Sequence, residues 1–159
     1  MSVYFIDLEA YVDGCNNYII KELCIMDTCD ILQPLHYVYK PNLLWNELSP
    51  KSRITNIFLI RHRHGLSWNE GCGIFDVDNI MDKLPSFSTS LYYVKDRIDG
   101  QKIKTLKYYF PGLRIVNYSV SSNDLTTVSN NITCPWRDHG KYCAYIKCLQ
   151  LCVHYLSCK

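Results

Sequence analysis

The segment from Cys134 to Cys143, Cys-Pro-Trp-Arg-Asp-His-Gly-Lys-Tyr-Cys, contains three residues of the types that bind zinc. Zinc prefers thiolate and imidazole ligands, and a structural zinc site is usually tetrahedral. An apolar helical pattern follows and runs to Leu156, so His139 and Cys143 in its first turn would share one helix face. Cys134 can reach them from the preceding loop. Glu22, which stands in an otherwise apolar run, is the candidate fourth ligand.

One alternative to this site is structural. His139 would cap the start of the helix while Cys134 and Cys143 pack as small hydrophobic side chains, as free cysteines often do. A rival group of ligand types lies at the end of the chain: Cys148, Cys152, His154 and Cys158. Cys152 and His154 stand about 200° apart around a helix, which disfavours convergence of that group. A closed four-ligand site would be structural and would join the last helix to the first strand pair.

The hydrophobic pattern predicts the elements that must position these residues. Alternation over residues 3–12 and an apolar run over 18–26 predict a β-hairpin. Pro50 fits the first turn of a helix that Ser49 can cap. We also predict strands at 35–40, 91–94 and 113–118, and helices at 49–61, 76–84, 101–109 and from about 139. This arrangement is a mixed sheet with helices packed on it.

Composition narrows the class of protein. The 159 residues are 48% hydrophobic, enough for one well-buried core, so we predict a single domain over residues 1–159. The net charge of +2 neither favours nor excludes nucleic acid. The cysteine count is odd, the N-terminal segment carries acids where a secretion signal needs a basic flank, and no apolar stretch approaches the roughly 18 residues of a membrane helix. We therefore predict an intracellular protein, in the cytoplasm or nucleus, that is not secreted and has no membrane partner.

A small basic and aromatic patch follows the first predicted helix. Arg61, Arg63 and His64 could contact phosphates, and Trp68 could stack on bases as in single-strand binding proteins. The alternatives are a solvated helix end, where cations are favoured, and a tryptophan that anchors the core. These four residues are the nucleic-acid-binding candidates.

The element order and three local patterns resemble the ribonuclease H-like fold and, within it, exonucleases that use four acidic residues and a general-base histidine. Asp7-Leu-Glu9 stands where that family has Asp-x-Glu, and His64-Gly-Leu-Ser67 is similar to its His-Gly-Ile-Thr turn. The last helix falls where the family places its histidine and final aspartate. The resemblance implies an α/β fold with a mixed five-stranded sheet, in the order βββαβαβα, flanked by helices. It also implies that Asp7 and Glu9 would be catalytic and hold Mg²⁺ or Mn²⁺ in an active nuclease.

The rest of that catalytic set is missing. Aligned on the family pattern, Lys102 and Lys147 stand in place of the second and last aspartates, and Tyr142 stands in place of the histidine. Two lysines would repel the ions that the acids should hold. Asp96 or Asp99, in the turn before Lys102, could substitute for the second aspartate. We therefore predict loss of nuclease activity, with a divalent-metal-dependent ribonuclease as the alternative.

In these departures from the exonuclease pattern, the chain resembles the Maelstrom domain, a ribonuclease H-like module of the animal piRNA pathway. That domain has largely lost the exonuclease acids and carries a Glu-Cys-His-Cys zinc set, to which Glu22, Cys134, His139 and Cys143 correspond. The resemblance implies a structural Zn²⁺ and a binding module for single-stranded RNA or a silencing-pathway protein. Its setting would be small-RNA silencing, a virus or a transposon. A domain that binds only proteins is a further alternative.

Overall fold

Five strands form one sheet, and the helices pack on its two faces. The computed structural model describes residues 1–15, 17–84, 89–97, 100–125 and 132–159. The strands are β1 (Val3–Val12), β2 (Tyr18–Asp27), β3 (Asp30–Val38), β4 (Leu91–Val94) and β5 (Arg114–Asn117). The helices are α1 (Pro50–His62), α2 (Val77–Lys83), α3 (Gln101–Tyr109) and α4 (Ala144–Ser157). None of the described helices has the length and apolar character needed to cross a lipid bilayer.

The strand order in the sheet is β3-β2-β1-β4-β5. Strands β1, β2 and β3 are antiparallel, whereas β4 and β5 run parallel to β1. Glu9 pairs with Glu22, and Asp7 pairs with Cys24, across the predicted hairpin. The structure thus confirms a mixed α/β chain with a five-stranded mixed sheet flanked by helices, and it places Asp7 and Glu9 on the strand next to that of Glu22.

The two faces of the sheet have different packing partners. Ile6 and Leu8 of β1 belong to a large apolar cluster that includes side chains of α2 and α3. Phe5 points to the other face and packs with α4 in a second cluster that is rich in cysteine. Since side chains alternate along a strand, Asp7 and Glu9 share the face of Phe5. The acidic pair therefore lies on the α4 side of the sheet.

The start of the last helix differs from the prediction. Helix α4 begins at Ala144, with Cys143 as an extended N-cap residue, and not at about His139. Gly140 adopts a φ of 101°, a left-handed conformation that cannot continue an α-helix. His139 and Cys143 therefore do not share a helix face, and the loop before α4 brings them together instead.

The third strand also starts earlier than predicted, because β3 covers Asp30–Val38 and not residues 35–40. Pro34 lies inside it and interrupts the sequence pattern of a strand. The structure tolerates this proline because β3 is an edge strand, and the pairing with β2 shifts register between Ile25 and Asp27.

Helix α1 packs a polar face on the end of β1. Ser49 caps the helix as predicted, since its hydroxyl accepts the N–H of Ser52. Asn56 is fully buried. Its side-chain oxygen accepts the N–H of Val12 at 2.9 Å, and its side-chain nitrogen donates to the carbonyl of Val12 at 3.0 Å. The amide therefore pairs with the backbone of β1 as a neighbouring strand would.

We expect Asn56→Ala to lower the free energy of unfolding by about 2–3 kcal/mol, because it leaves the N–H and C=O of Val12 without partners. Urea denaturation measures the change. The control is Asn46→Ala, at an exposed asparagine, which should change stability by less than about 0.5 kcal/mol. Equal effects of the two substitutions would contradict the strand-like role of Asn56.

Candidate functional site

Four buried side chains converge between β2 and the start of α4. They are Glu22 of β2, Cys134 and His139 of the preceding loop, and Cys143 at the N-cap. One potential ligand atom of each lies within 4.8 Å of the others. The Oε1 atom of Glu22 is 3.3 Å from Nε2 of His139, 3.4 Å from Sγ of Cys143 and 3.9 Å from Sγ of Cys134. These four residues are close enough to hold a metal ion.

The imidazole of His139 is oriented for a metal ligand. Its Nδ1 donates to the backbone carbonyl of His64 over 2.6 Å, so Nε2 faces the cluster. Nε2 lies 3.3 Å from Oε1 of Glu22, although among the described residues this buried atom makes no hydrogen bond of regular geometry. Gly65 permits the close approach: its φ is 66°, and a Cβ there would lie 2.7 Å from the carbonyl oxygen of His139. Metal-binding histidines typically make such a second hydrogen bond through the other ring nitrogen, and a ring nitrogen that faces two thiols and a carboxylate fits a cation.

Glu22 connects the cluster to α4. Its Oε2 accepts the N–H of Ala144, the first residue of the helix, at 2.9 Å. Carboxylates are favoured at this position by the unpaired N–H groups of a helix start. Burial alone would raise the pKa of Glu22, but hydrogen bonds from His139, His36 and the Ala144 N–H lower it to about 2. The carboxyl is therefore ionised, as a metal ligand must be.

His36 of β3 also contacts the cluster, and sequence reasoning missed it. Its Nε2 lies 2.8 Å from Oε1 of Glu22 and 3.9 Å from Sγ of Cys134. His36 pairs with Cys24, which is two residues from Glu22 on the same face of β2. This neighbourhood can be recognised only when the register of β2 and β3 is known. Burial favours neutral rings, yet the hydrogen bonds to Cys134 and Glu22 raise the pKa of His36 to about 9 and that of His139 to about 10. Protons thus supply positive charge beside Glu22, and a bound cation would displace them.

The two thiols of the cluster differ in acidity. Hydrogen bonds from Cys143, His139 and His36 lower the pKa of Cys134. The hydrogen bond to Cys134, together with burial, raises the pKa of Cys143. The two thiols therefore titrate as a coupled pair, and binding of a zinc ion to both sulfurs would release their remaining protons.

Glu70 fixes the loop that precedes α4, and it is a second residue that sequence reasoning missed. The indole N–H of Trp136 donates to its carboxylate at 2.9 Å. The Arg137 guanidinium contacts both oxygens of Glu70, at 2.5 and 2.9 Å, and donates to the carbonyl of Gly65 at 2.7 Å. Bidentate pairs of this kind are geometrically specific. They hold the ligand-bearing loop against the segment that orients His139.

The rival group at the end of the chain does not converge into a site. Cys148 and Cys152 are buried in the cluster between α4 and the sheet, whereas Cys158 is exposed and lies 3.9 Å from Nε2 of His154. In the ranges that the structure describes, the Glu22 group is the one set of ligand types close enough to hold a metal ion. This agrees with the helical spacing argument.

Asp7 and Glu9 are buried side by side and are already paired with cations. Lys102, in the first turn of α3, places its ammonium nitrogen 2.5 Å from Oδ1 of Asp7 and 3.9 Å from Oε1 of Glu9. Arg63, at the end of α1, donates from Nε to Oε2 of Glu9 at 3.0 Å. The Lys102 ammonium thus occupies the space next to both carboxylates that a shared divalent ion would need.

Burial controls the titration of this acidic pair. It raises the pKa of Asp7 although Lys102 opposes the shift, and it raises the pKa of Glu9 from 4.5 to about 7 against Lys102 and Arg63. Burial would lower the pKa of Lys102, but the two carboxylates raise it. Lys102 is therefore charged at neutral pH and compensates the pair.

The acidic pair lies in a cleft of about 740 Å³ with a mainly basic lining. The charged residues of the lining are six cations and three acids: Arg63, Lys95, Arg97, Lys102, Lys141 and Lys147, with Asp7, Glu9 and Asp96. Tyr142 adds an aromatic ring, 4.9 Å from the guanidinium carbon of Arg63 and 5.1 Å from the ammonium of Lys141. The excess of positive charge attracts anions to this cleft.

The proposed substitutes for the missing acid do not complete a metal site in the described structure. Asp96 lines the cleft, but its Oδ1 accepts the N–H of Arg97 at 2.7 Å and its Oδ2 accepts the N–H of Ile103 at 2.9 Å. It therefore organises the start of α3. Asp99 lies outside the described residues. Lys147 of α4 lines the cleft and adds positive charge there.

Two of the four nucleic-acid-binding candidates need correction. His64 and Trp68 are buried, with 0% and 6% of their surface exposed, so neither side chain is available to bases or phosphates. The Trp68 indole donates to the carbonyl of Leu43 at 3.2 Å and anchors the core, which was the alternative. Arg61 is exposed, and Arg63 lines the cleft but pairs with Glu9.

No protein-family model matches the chain. No curated protein matches it either. The function of this chain must therefore be inferred from its own residues and their geometry.

Proposed function

We propose that this chain is a zinc-stabilised, catalytically inactive ribonuclease H-like domain that binds single-stranded RNA in its basic cleft. By resemblance to the Maelstrom domain, it would act in small-RNA silencing or in a viral or transposon setting. One observation carries the proposal. The ammonium of Lys102 pairs with Asp7 and lies 3.9 Å from Glu9, in the space where a nuclease would bind a catalytic cation.

The fold supports the ribonuclease H-like part of the proposal. The antiparallel strands β1, β2 and β3 precede a parallel β4 and β5 connected through α3, and α4 comes last. This is the element order that the resemblance implies, with the short helix α2 added. Asp7 and Glu9 lie on the central strand β1, on the face that α4 covers.

The donor types support zinc as the metal. Two cysteine sulfurs and one imidazole nitrogen are softer ligands than Mg²⁺ or Ca²⁺ prefers, and they suit Zn²⁺. With Glu22 they form a four-ligand set. A zinc ion held by four protein ligands has no open position for substrate, so its role would be structural.

The electrostatics of the cleft support the loss of nuclease activity. Two-metal phosphodiester cleavage needs hard oxygen ligands that hold two divalent ions roughly 4 Å apart. Here both carboxylate oxygens of Asp96 accept backbone N–H groups, and the ammonium of Lys102 compensates the charges of Asp7 and Glu9. Lys147 adds repulsion for any further cation.

The same charges support a phosphate-bearing ligand. Arg63 and Lys102 compensate Asp7 and Glu9, so the rest of the charged lining has an excess of cations: Lys95, Arg97, Lys141 and Lys147 against Asp96. Neutralising RNA phosphates with such side chains releases counterions and drives binding. Tyr142 offers a ring on which a base could stack, as single-strand binding sites use.

We expect Lys141→Ala/Lys147→Ala to weaken binding of a fluorescent single-stranded RNA by about tenfold or more at low salt, since two phosphate contacts are lost. The slope of log affinity against log salt should fall by about one per lost contact. Fluorescence anisotropy measures both quantities. The matched control is Lys104→Ala/Lys107→Ala, on α3 and outside the cleft lining. No binding by the wild-type chain at low salt would contradict RNA as the ligand and favour a protein partner.

A metal-dependent ribonuclease is the second candidate, favoured by the position of Asp7 and Glu9 side by side in the cleft. Incubation of labelled RNA with the chain and Mn²⁺ or Mg²⁺ separates the two functions. We expect no cleavage. Cleavage that Asp7→Asn abolishes would establish the nuclease and overturn the proposed binding module.

A further inference from the structure

Helix α1 exposes apolar side chains and buries polar ones. Ser52 and Asn56 face the end of β1 and are buried. Ile54, Ile57 and Phe58 face the solvent, with 70%, 40% and 59% of their surface exposed. Their i, i+3, i+4 spacing places them next to each other on one side of the helix. Leu59 and Ile60 pack inward on the core cluster around Tyr11 and Trp68, so α1 carries apolar residues on its outward side as well as on its inward side.

Positive charge surrounds this apolar stripe. Lys51 and Arg61 lie three or four residues from its members on the same side of the helix, and Arg53 lies at its border. Lys51 and Arg61 are exposed. Residues 50–62 include no aspartate or glutamate. The outward face of α1 is therefore an apolar stripe with a basic border, which we name the α1 face.

We propose that the α1 face is a docking site for an acidic amphipathic helix of a partner protein. Apolar residues of the partner would cover Ile54, Ile57 and Phe58, and its carboxylates would pair with Lys51 and Arg61. Helix recognition of this kind uses apolar anchors at i, i+3, i+4 and i+7, and Ile54, Ile57 and Phe58 have the i, i+3 and i+4 part of that spacing. Because the border of the α1 face is basic, charge complementarity requires a negatively charged partner helix.

The charges of α1 disfavour a second copy of this chain as the occupant. In an antiparallel pair of α1 helices, Lys51 of one copy would lie against Arg61 of the other, and a parallel pair would align like residues. Both arrangements bring like charges together over a face without acids, which is unfavourable. An acidic partner removes this repulsion. The inference does not depend on RNA binding, because Ile54, Ile57 and Phe58 are not part of the cleft lining.

A displayed library of helical peptides, selected on the immobilised chain, tests the proposal. We expect the enriched peptides to be acidic and to carry apolar residues at i, i+3 or i+4, and i+7. Ile57→Ser/Phe58→Ser should weaken their binding by about tenfold or more, since truncating anchor residues has effects of that size. The matched control, Leu32→Ser/Ile74→Ser, removes two exposed apolar side chains outside α1 and should leave binding unchanged.

A charge reversal tests the basic border separately. Lys51→Glu/Arg61→Glu should weaken the same peptides by about tenfold at low salt and by less at high salt, because the lost attraction is screened. Lys104→Glu/Lys107→Glu, with the same change of net charge on α3, should have little effect. Thermal melts of all four variants should match the wild type, because the altered side chains are exposed.

Four results would overturn the proposal. Enriched peptides without an acidic bias, or with equal affinity for the Ile57→Ser/Phe58→Ser variant, would place recognition elsewhere. Self-association in sedimentation velocity that this variant abolishes would make a second copy the occupant. Binding to phosphatidylserine vesicles that this variant abolishes, without acidic peptide binding, would make a lipid surface the occupant.

Discussion

Removing zinc from the wild-type chain with a chelator should lower its free energy of unfolding by at least about 3 kcal/mol, and its melting temperature by about 10 °C. The zinc ion would join residues that are far apart in sequence, since Glu22 and Cys143 are 121 positions apart. Fixing such a long loop removes much conformational entropy from the unfolded chain. Without the metal, Glu22, Cys134 and the imidazoles remain buried and must be stabilised by protons and hydrogen bonds alone.

The substitution Cys134→Ser tests the same site by removing one of the four proposed zinc ligands. It should abolish zinc binding in elemental analysis and lower the melting temperature by a similar amount, with no further effect of the chelator. Cys72→Ser is the matched control, because Cys72 is exposed and outside the cluster. An unchanged melting temperature after chelation, together with no zinc in the purified wild-type chain, would refute the metal site.

Lys102→Met should lower the free energy of unfolding at neutral pH by about 3–5 kcal/mol, which is typical of removing one partner from a buried ion pair. The side chains of Asp7 and Glu9 are only 1% and 4% exposed, and without Lys102 their charges would lack a close counter-charge except Arg63. Lys104→Met, at an exposed lysine of the same helix, should change stability by less than about 0.5 kcal/mol. Urea denaturation measures both.

The loss caused by Lys102→Met should depend on pH. Burial raises the folded-state pKa of Asp7 and that of Glu9, the latter from 4.5 to about 7. A carboxyl with a raised folded-state pKa favours folding below its unfolded-state pKa, and this advantage disappears as the pH rises through the folded-state pKa. Lys102 lowers the pKa of both carboxyls, so Lys102→Met raises these pKa values further and increases the stability that is lost with rising pH. The stability difference between the variant and the wild type should therefore grow from pH 4.5 to above pH 7.

A second substitution checks the cause of that loss. Asp7→Asn/Lys102→Met replaces both partners with neutral side chains, so it should recover much of the stability at neutral pH. No recovery, or a loss that does not vary with pH, would show that Lys102 stabilises the fold through packing and not through its charge.

Local signals predict much of this structure. The alternation of apolar and polar residues predicts β1, and the Ser49-Pro50 pair predicts the start of α1. The residue types and their spacing predict Cys134, His139 and Cys143 as metal ligands. These signals succeed because each depends on neighbouring residues. The start of α4 was predicted too early because the apolar pattern does not reveal the left-handed backbone at Gly140.

Long-range contacts are the part that the sequence alone does not provide. The contact of His36 with Glu22 depends on the register of β2 and β3, which a shifted pairing near Ile25 alters. For Lys102, the family resemblance predicted a position near Asp7 and Glu9, but the ion pair with Asp7 is visible only in the structure, where α3 starts beside β1. Such contacts depend on tertiary packing, for which no local sequence rule exists.

The ion pair of Lys102 also changes how the cleft responds to its surroundings. A cation carried by a side chain cannot be diluted, chelated or exchanged, unlike the Mg²⁺ of a two-metal nuclease. The charge of Asp7 and Glu9 is therefore compensated at any magnesium concentration. The acidic pair thus has a permanent counter-charge that does not depend on the cellular supply of a metal.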